Sequence, residues 1–126
     1  MRILVADDEY LVRASLISML DELNLPIDSL QEATTGEQLI DIVRHDFPDI
    51  AFVDIRMPGL NGLEAIKAAK MLSPQTKWFI LTGLPEFDYA QEAIRLGVSG
   101  YLLKPISPEE LKKILDDFTE ENHKQK

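Results

Sequence analysis

Five short apolar runs alternate with helix-like segments along the chain, and this alternation limits the folds that the chain can adopt. The runs are Ile3–Ala6, Ser29–Ala33, Ile50–Val53, Trp78–Leu81 and Tyr101–Leu103. All but the weak second run are continuously apolar, as expected of parallel strands that are covered on both faces. Alternation of strand and helix through short connections predicts a doubly wound α/β sheet with right-handed crossovers.

The segments between the runs carry the residue spacing of amphipathic helices. They predict helices around residues 12–23, 37–46, 63–71, 87–96 and 107–118. On the first helix, Leu16 belongs to the apolar face that packs on the sheet and Arg13 points away from it. On the fourth, Ala90, Ala93 and Ile94 are expected to be buried. Each face of the sheet is therefore expected to carry helices.

Charge and composition narrow the classes of protein. The chain has 126 residues, the size of one domain, with 45% hydrophobic and 28% charged residues, as in ordinary globular proteins. Its net charge of −9 should repel phosphate backbones and anionic lipids, so we expect no direct contact with nucleic acid or membranes. The lysines at positions 67, 70, 112 and 113 are accordingly expected to be solvated.

The lack of cysteine and the composition of the two ends of the sequence limit the covalent links, the location and the domain boundaries that we expect. Without cysteine, disulfides and thiolate metal sites are excluded. The first apolar run is too short for a signal-peptide core, and no segment has the ~20 apolar residues of a membrane span, which predicts a cytoplasmic protein. We expect one domain over residues 1–119, followed by a polar tail or linker stub at residues 120–126.

Polar side chains follow four of the predicted strands. Asp7 and Asp8 come after the first strand, Asp54 after the third, Thr82 after the fourth and Lys104 after the fifth. Ligands bind at the carboxyl ends of the strands in open α/β sheets. Two carboxylates ~4 Å apart repel by about 4 kcal/mol at an effective dielectric of 20, so such a cluster needs a cation. An all-oxygen site favours Mg²⁺, and the lack of cysteine and of clustered histidine argues against zinc.

The segments around these residues resemble the receiver domain of bacterial two-component response regulators. They read Asp7-Asp8, then VDIRMPGLNG at residues 53–62, then Leu81-Thr82-Gly83, then YLLKP at residues 101–105, in matching order and spacing over essentially the whole chain. The resemblance implies a flavodoxin-like fold with five helices and a five-stranded parallel sheet of strand order 2-1-3-4-5. It also implies a signalling domain that is not an enzyme in its own right.

The resemblance further assigns roles at the site. Asp54 is the implied phosphoacceptor, which takes a phosphoryl group from a sensor histidine kinase. Asp7, Asp8 and Asp54, together with the backbone carbonyl of Arg56, are the implied Mg²⁺ ligands. The Lys104 ammonium is the implied partner of the phosphoryl group. This chemistry agrees with the need of phosphoryl transfer for positioning and charge neutralisation.

The remaining implied roles concern the relay of the signal. Thr82 is the hydroxyl that reorients toward the phosphoryl group, Tyr101 is the aromatic residue whose position reports the state, and the peptide bond before Pro105 is expected to be cis. Residues 87–98 are similar to the fourth helix of receivers that precede an AraC-type DNA-binding domain. Transcription regulation through a further output domain is thus implied, with a homodimer formed through the fourth helix, fifth strand and fifth helix. Pro85 is expected to stiffen the loop after Thr82.

Other classes of protein fit less well. A haloacid-dehalogenase-like phosphatase needs a second acid two residues after its nucleophile, where this chain has Arg56. A flavodoxin-like cofactor carrier needs a phosphate-binding loop after the first strand, where Asp7 and Asp8 would repel FMN. A receiver-like interaction domain that works without phosphorylation remains the alternative reading.

Overall fold

Five parallel strands and five helices alternate in the computed structural model, which describes residues 1–84 and 86–124. The elements are β1 (Arg2–Ala6), α1 (Tyr10–Glu22), β2 (Ser29–Ala33), α2 (Gly36–Asp46), β3 (Ile50–Asp54), α3 (Gly62–Leu72), β4 (Lys77–Thr82), α4 (Phe87–Leu96), β5 (Gly100–Leu103) and α5 (Pro108–Lys124). The expected stiffening by Pro85 lies outside the described residues.

The strands form one sheet in the order β2-β1-β3-β4-β5, and every neighbouring pair is parallel. The predicted doubly wound fold and its strand order are thereby confirmed. The position of each strand explains its composition. All five residues of the central strand β3 are buried, whereas β2 lies at an edge, is partly exposed and tolerates Gln31 and Glu32. Its weak apolar signal follows from that edge position.

Helices cover both faces of the sheet and form two core layers. Buried residues of α2, α3 and α4, such as Leu39, Ile66 and Ala93, pack on one face. Residues of α1 and α5, such as Leu16 and Leu111, pack on the other face. With both faces covered, every residue of β1 after the first is buried, which explains its continuous apolar run.

Polar caps and glycine define several helix ends. Thr35 accepts a hydrogen bond from the Gln38 amide at the start of α2, and Asn61 forms a capping box at the start of α3. At the start of α5 the Ser107 hydroxyl accepts from the Glu110 amide at 3.1 Å. Gly97 ends α4 with φ +76°, a left-handed conformation that suits glycine.

Three expectations about side chains were wrong. Ile94 is 77% exposed and Ala90 is half-buried, because α4 turns only a narrow stripe around Ala93 toward the sheet. Arg13 does not point into solvent, since its side chain is only 13% exposed and reaches across to β2. Lys70 is not simply solvated, because its ammonium donates to a backbone carbonyl at the end of α4.

Helix α5 continues through residue 124, so the polar run that begins at residue 120 starts as part of this helix. The division between a domain at residues 1–119 and a tail stays a prediction. Among the described residues, no helix combines the length and the apolar character needed to cross a bilayer.

Candidate functional site

Two strand ends bring the acids together. Asp7 follows β1 and is fully buried, and its amide donates to the Ala33 carbonyl of β2 at 3.0 Å. Asp54 is the last residue of β3 and is 5% exposed. The close approach of α3 to this strand end requires Gly62, because a Cβ there would lie 2.1 Å from the Asp54 carbonyl oxygen.

The carboxylates form a cluster that could hold a metal ion. One oxygen each of Asp7, Asp8, Glu9 and Asp54 lies within 4.8 Å of the others. The structure thus brings together the three predicted acids and adds Glu9, which the sequence reasoning missed. The only available signal for Glu9 was its place directly after the Asp7-Asp8 pair. Asp8 and Glu9 are exposed and face the entrance, while the other two acids are buried.

Lys104 lies beside this cluster as predicted from its place after β5. Its ammonium is 2.7 Å from Asp7 Oδ2, 3.4 Å from Asp54 Oδ2 and 3.6 Å from Glu9 Oε1. Burial lowers the pKa of Lys104, but the carboxylates of Asp7, Asp54 and Glu9 outweigh burial and raise this pKa overall. The ammonium therefore stays charged. The Lys104 amide donates a hydrogen bond to the Thr82 carbonyl at 2.8 Å, and the peptide bond between Lys104 and Pro105 is cis.

One ammonium does not balance the acids. Burial raises the pKa of Asp54 to about 6, and repulsion by Asp7 adds to this rise, while Lys104 and the Arg56 amide oppose it. In addition, Asp7 Oδ2 is buried and accepts no well-directed hydrogen bond from any described residue, although the Lys104 ammonium is an ion-pair partner. An excess of carboxylate with an unsatisfied oxygen fits a divalent cation with oxygen ligands.

The cluster opens into a cleft of about 340 Å³, lined by Asp8, Glu9, Asp54, Arg56, Thr82, Gly83, Leu84 and Lys104. Thr82 is buried, and its hydroxyl donates to the Leu84 carbonyl at 2.8 Å. Arg56 forms an ion pair with Glu86, so it links the loop after β3 to the start of α4. Four predicted site residues other than Asp7 and Asp8 therefore line this cleft, namely Asp54, Arg56, Thr82 and Lys104.

Tyr101 does not line the cleft. Its ring is partly buried and packs against the core layer beneath α2, α3 and α4. Its hydroxyl is buried and has no hydrogen-bond partner among the described residues. Tyr101 lies on β5 opposite Ile80 of β4, and Thr82 lies two residues further along β4. The predicted switch residues therefore occupy neighbouring strands, two positions apart in the register of β4 and β5.

Fold and site together define a flavodoxin-like α/β protein with buried acids and a lysine at the carboxyl edge of its sheet. The family model of the response regulator receiver domain matches residues 3–116. The chain belongs to this family of signalling domains, and the resemblance inferred from the sequence is confirmed.

Known proteins that are similar to this chain include transcriptional regulatory proteins and a sporulation phosphotransferase. The chain is 33% identical over 98% of its length to the uncharacterized transcriptional regulatory protein YesN of Bacillus subtilis, of which it spans 34%. It is 30% identical to sporulation initiation phosphotransferase F of the same organism, covering 93% of this chain and 92% of that protein. The chain spans only 34% to 53% of the length of the first regulatory proteins that it matches.

Solved structures agree with the fold. The REC domain of AraT, a response regulator from Geobacillus stearothermophilus, is 38% identical with a TM-score of 0.82, over 99% of this chain and 98% of that chain. The N-terminal domain of an uncharacterized protein from Wolinella succinogenes is 28% identical with a TM-score of 0.90, over 100% of this chain and 99% of that chain.

Proposed function

We propose that this chain is a phosphorylation switch in which Asp54 accepts a phosphoryl group from a sensor histidine kinase. The observation that carries this proposal is the placement of Asp54. Its carboxylate is buried at the end of β3, lines the cleft, and shares the Lys104 ammonium with the second buried acid, Asp7. With a pKa of about 6, Asp54 is mostly ionised at neutral pH and can act as a nucleophile.

The reaction forms a bond from an Asp54 oxygen to phosphorus while the bond from phosphorus to the donor breaks. Such a transfer depends on positioning and on neutralising the charge of the phosphoryl oxygens. The Lys104 ammonium, 3.4 Å from Asp54 Oδ2, is placed to pair with them. Asp7, Asp8, Asp54 and the Arg56 carbonyl would hold Mg²⁺, which supplies further charge neutralisation when bound.

The relay of this event would run through Thr82 and Tyr101. A phosphoryl group adds roughly −1.5 to −2 charges and three strong acceptors to the cleft. The Thr82 hydroxyl, which now donates to the Leu84 carbonyl, would exchange that bond for a charge-assisted bond to the phosphoryl group. Tyr101 would then change position, alter the surface of α4, β5 and α5, and favour a homodimer through this face.

We infer the role of the whole protein by analogy with its relatives. We place it in the cytoplasm, as a transcription regulator whose receiver at residues 1–119 is followed by a linker from residue 120. DNA would be bound by an output domain, of AraC type, and not by the acidic receiver itself. The stretch Phe87–Leu96, which forms α4, supports this subfamily through its similarity to the fourth helix of such receivers.

The test is phosphorylation in vitro. Incubation of the chain with Mg²⁺ and acetyl phosphate is expected to add one phosphoryl group, detected by intact mass. Asp54→Asn should abolish this adduct, whereas Asp116→Asn, which changes an exposed acid on α5, should leave it intact. Failure of every phosphoryl donor to form an adduct would favour an interaction domain that works without phosphorylation. Sizing with a beryllofluoride mimic tests the dimer, and an unchanged monomer would contradict it.

A further inference from the structure

Arg13 makes two contacts that join separate elements around the acid cluster. Its Nη1 donates to the Asp7 carbonyl at 2.9 Å, and its Nε donates to Glu32 Oε1 at 2.9 Å. The guanidinium also lies over the Tyr10 ring, 5.8 Å from its centroid. One side chain thus connects α1, the end of β1 and the edge strand β2.

Besides the Arg13 contact, a hydrogen bond from the Glu9 amide to Asp7 Oδ1 at 2.9 Å holds the connection between β1 and α1. Glu9 is the N-cap residue of α1, but its side chain makes no capping hydrogen bond. The Asp7 amide is held by the Ala33 carbonyl at 3.0 Å. The Asp7 carbonyl is held by Arg13. Because a peptide unit is planar, fixing this carbonyl also fixes the amide of Asp8 and hence the direction in which that residue leaves the strand.

We propose that Arg13 is a positioning residue that orients the Asp7–Asp8 peptide so that the acids of the cluster converge on a cation. The proposal rests on the proposed Mg²⁺ site and adds a residue with no contact to the cation. Glu32 fixes the orientation of the Arg13 guanidinium, because its carboxylate accepts a hydrogen bond from Nε while Nη1 donates to the Asp7 carbonyl. Lysine cannot replace this arrangement, because a single ammonium lacks the planar fork of the guanidinium.

Positioning and simple charge make opposite predictions. If Arg13 acted only as a nearby positive charge, Arg13→Gln would leave the acids more negative and would strengthen Mg²⁺ binding. If it positions the peptide, both Arg13→Gln and Arg13→Lys should weaken Mg²⁺ binding, by about tenfold or more, as for other residues that orient metal ligands. Glu32→Gln should weaken binding in the same direction but less, because the bond to Asp7 remains.

The experiment is calorimetric titration of the full chain with MgCl₂. Arg95→Gln is the matched control, since Arg95 has no hydrogen bond or ion pair with any residue that the structure describes, and it should bind as wild type does. Thermal unfolding in EDTA reports whether each variant is folded. If Arg13→Gln does not fold, Arg13→Lys, which keeps the charge, still decides between the two predictions.

A second measurement separates positioning from damage to the chemistry. In acetyl phosphate reactions, the Mg²⁺ concentration for half-maximal rate should rise about tenfold in Arg13→Lys, while the rate at saturating Mg²⁺ stays close to wild type. Unchanged or tighter Mg²⁺ binding in both Arg13 variants would overturn the inference. A wild-type chain that binds no Mg²⁺ at all would instead refute the proposed function, so the two failures are distinguishable.

Discussion

The raised pKa of Asp54 predicts that Asp54→Asn stabilises the fold at neutral pH. In the folded chain this pKa lies at about 6, against 3.8 for an unperturbed aspartate, because burial and the neighbouring Asp7 disfavour the charge. Asparagine has nearly the same shape and carries no charge. The substitution therefore removes a charge that the folded state holds at a cost, even though it also removes the phosphoacceptor.

The magnitude and the pH window follow from the two pKa values. Each unit of pKa difference is equivalent to ~1.4 kcal/mol, so the rise to about 6 sets an upper limit of roughly 3 kcal/mol, and access of water to the cleft reduces the expected gain to about 1–2 kcal/mol. Between the two pKa values the folded state binds more protons than the unfolded state, so wild-type stability falls as pH rises through this window. The gain in the variant should thus be near zero below about pH 3 and constant above about pH 7.

The assay is urea denaturation of both proteins in EDTA at several pH values. Glu92→Gln removes an exposed charge in the middle of α4 and should show no such pH-dependent gain. Added Mg²⁺ should stabilise wild type more than Asp54→Asn and so narrow the difference, because the variant lacks one of the proposed ligands. A variant that is less stable at pH 7.5, or a difference that does not change with pH, would refute the electrostatic account of this site.

Three further predictions concern the packing and charge of the site and the exposure of a residue on α4. Gly62→Ala should cost about 1–3 kcal/mol and slow phosphorylation, because the new Cβ meets the carbonyl at the end of β3, whereas Gly83→Ala, with open space around it, should be near neutral in denaturation. Lys104→Gln should cost about 2 kcal/mol in EDTA by leaving Asp7 without its ion-pair partner, and less in Mg²⁺. Ile94→Ser should change stability by less than about 0.5 kcal/mol, and a loss of several kcal/mol would contradict the exposure of this side chain.

The acid cluster was predictable because its geometry depends only on where strands end. In a parallel doubly wound sheet the carboxyl ends of the strands share one edge. Once the apolar runs before Asp7 and Asp54 are read as strands, the meeting of these residues follows without any knowledge of side-chain conformation. The same reasoning places Lys104 there, because β5 ends immediately before it. The strand topology alone was therefore enough to predict that these residues, which are distant in sequence, lie close together in the fold.

The misjudged residues depend on features that periodicity does not report. Helical spacing gives the direction in which Arg13 leaves the helix axis, but not the distance that its long side chain reaches back to β2 and to the Asp7 carbonyl. The same spacing placed Ile94 on an apolar stripe, but the width of the buried stripe depends on how α4 lies against the sheet. Glu9 joins the cluster because the helix begins directly after it, and one residue of error in a helix start hides such a contact.

Helix α4 is attached to the rest of the protein partly through Arg56, a residue that lines the cleft. In the described part of the chain, Ala93 is the one fully buried residue of this helix, and the partly buried Tyr89 and Leu96 pack beside it on the core layer. Polar contacts hold both of its ends, namely the ion pair of Arg56 with Glu86 at the start and the Lys70 ammonium on the Leu96 carbonyl at the end. Arg56 lines the cleft, so negative charge added at the proposed phosphoacceptor competes with Glu86 for its guanidinium. Loss of this ion pair would remove one of the two polar attachments of α4, while Tyr89, Ala93 and Leu96 still pack on the core layer.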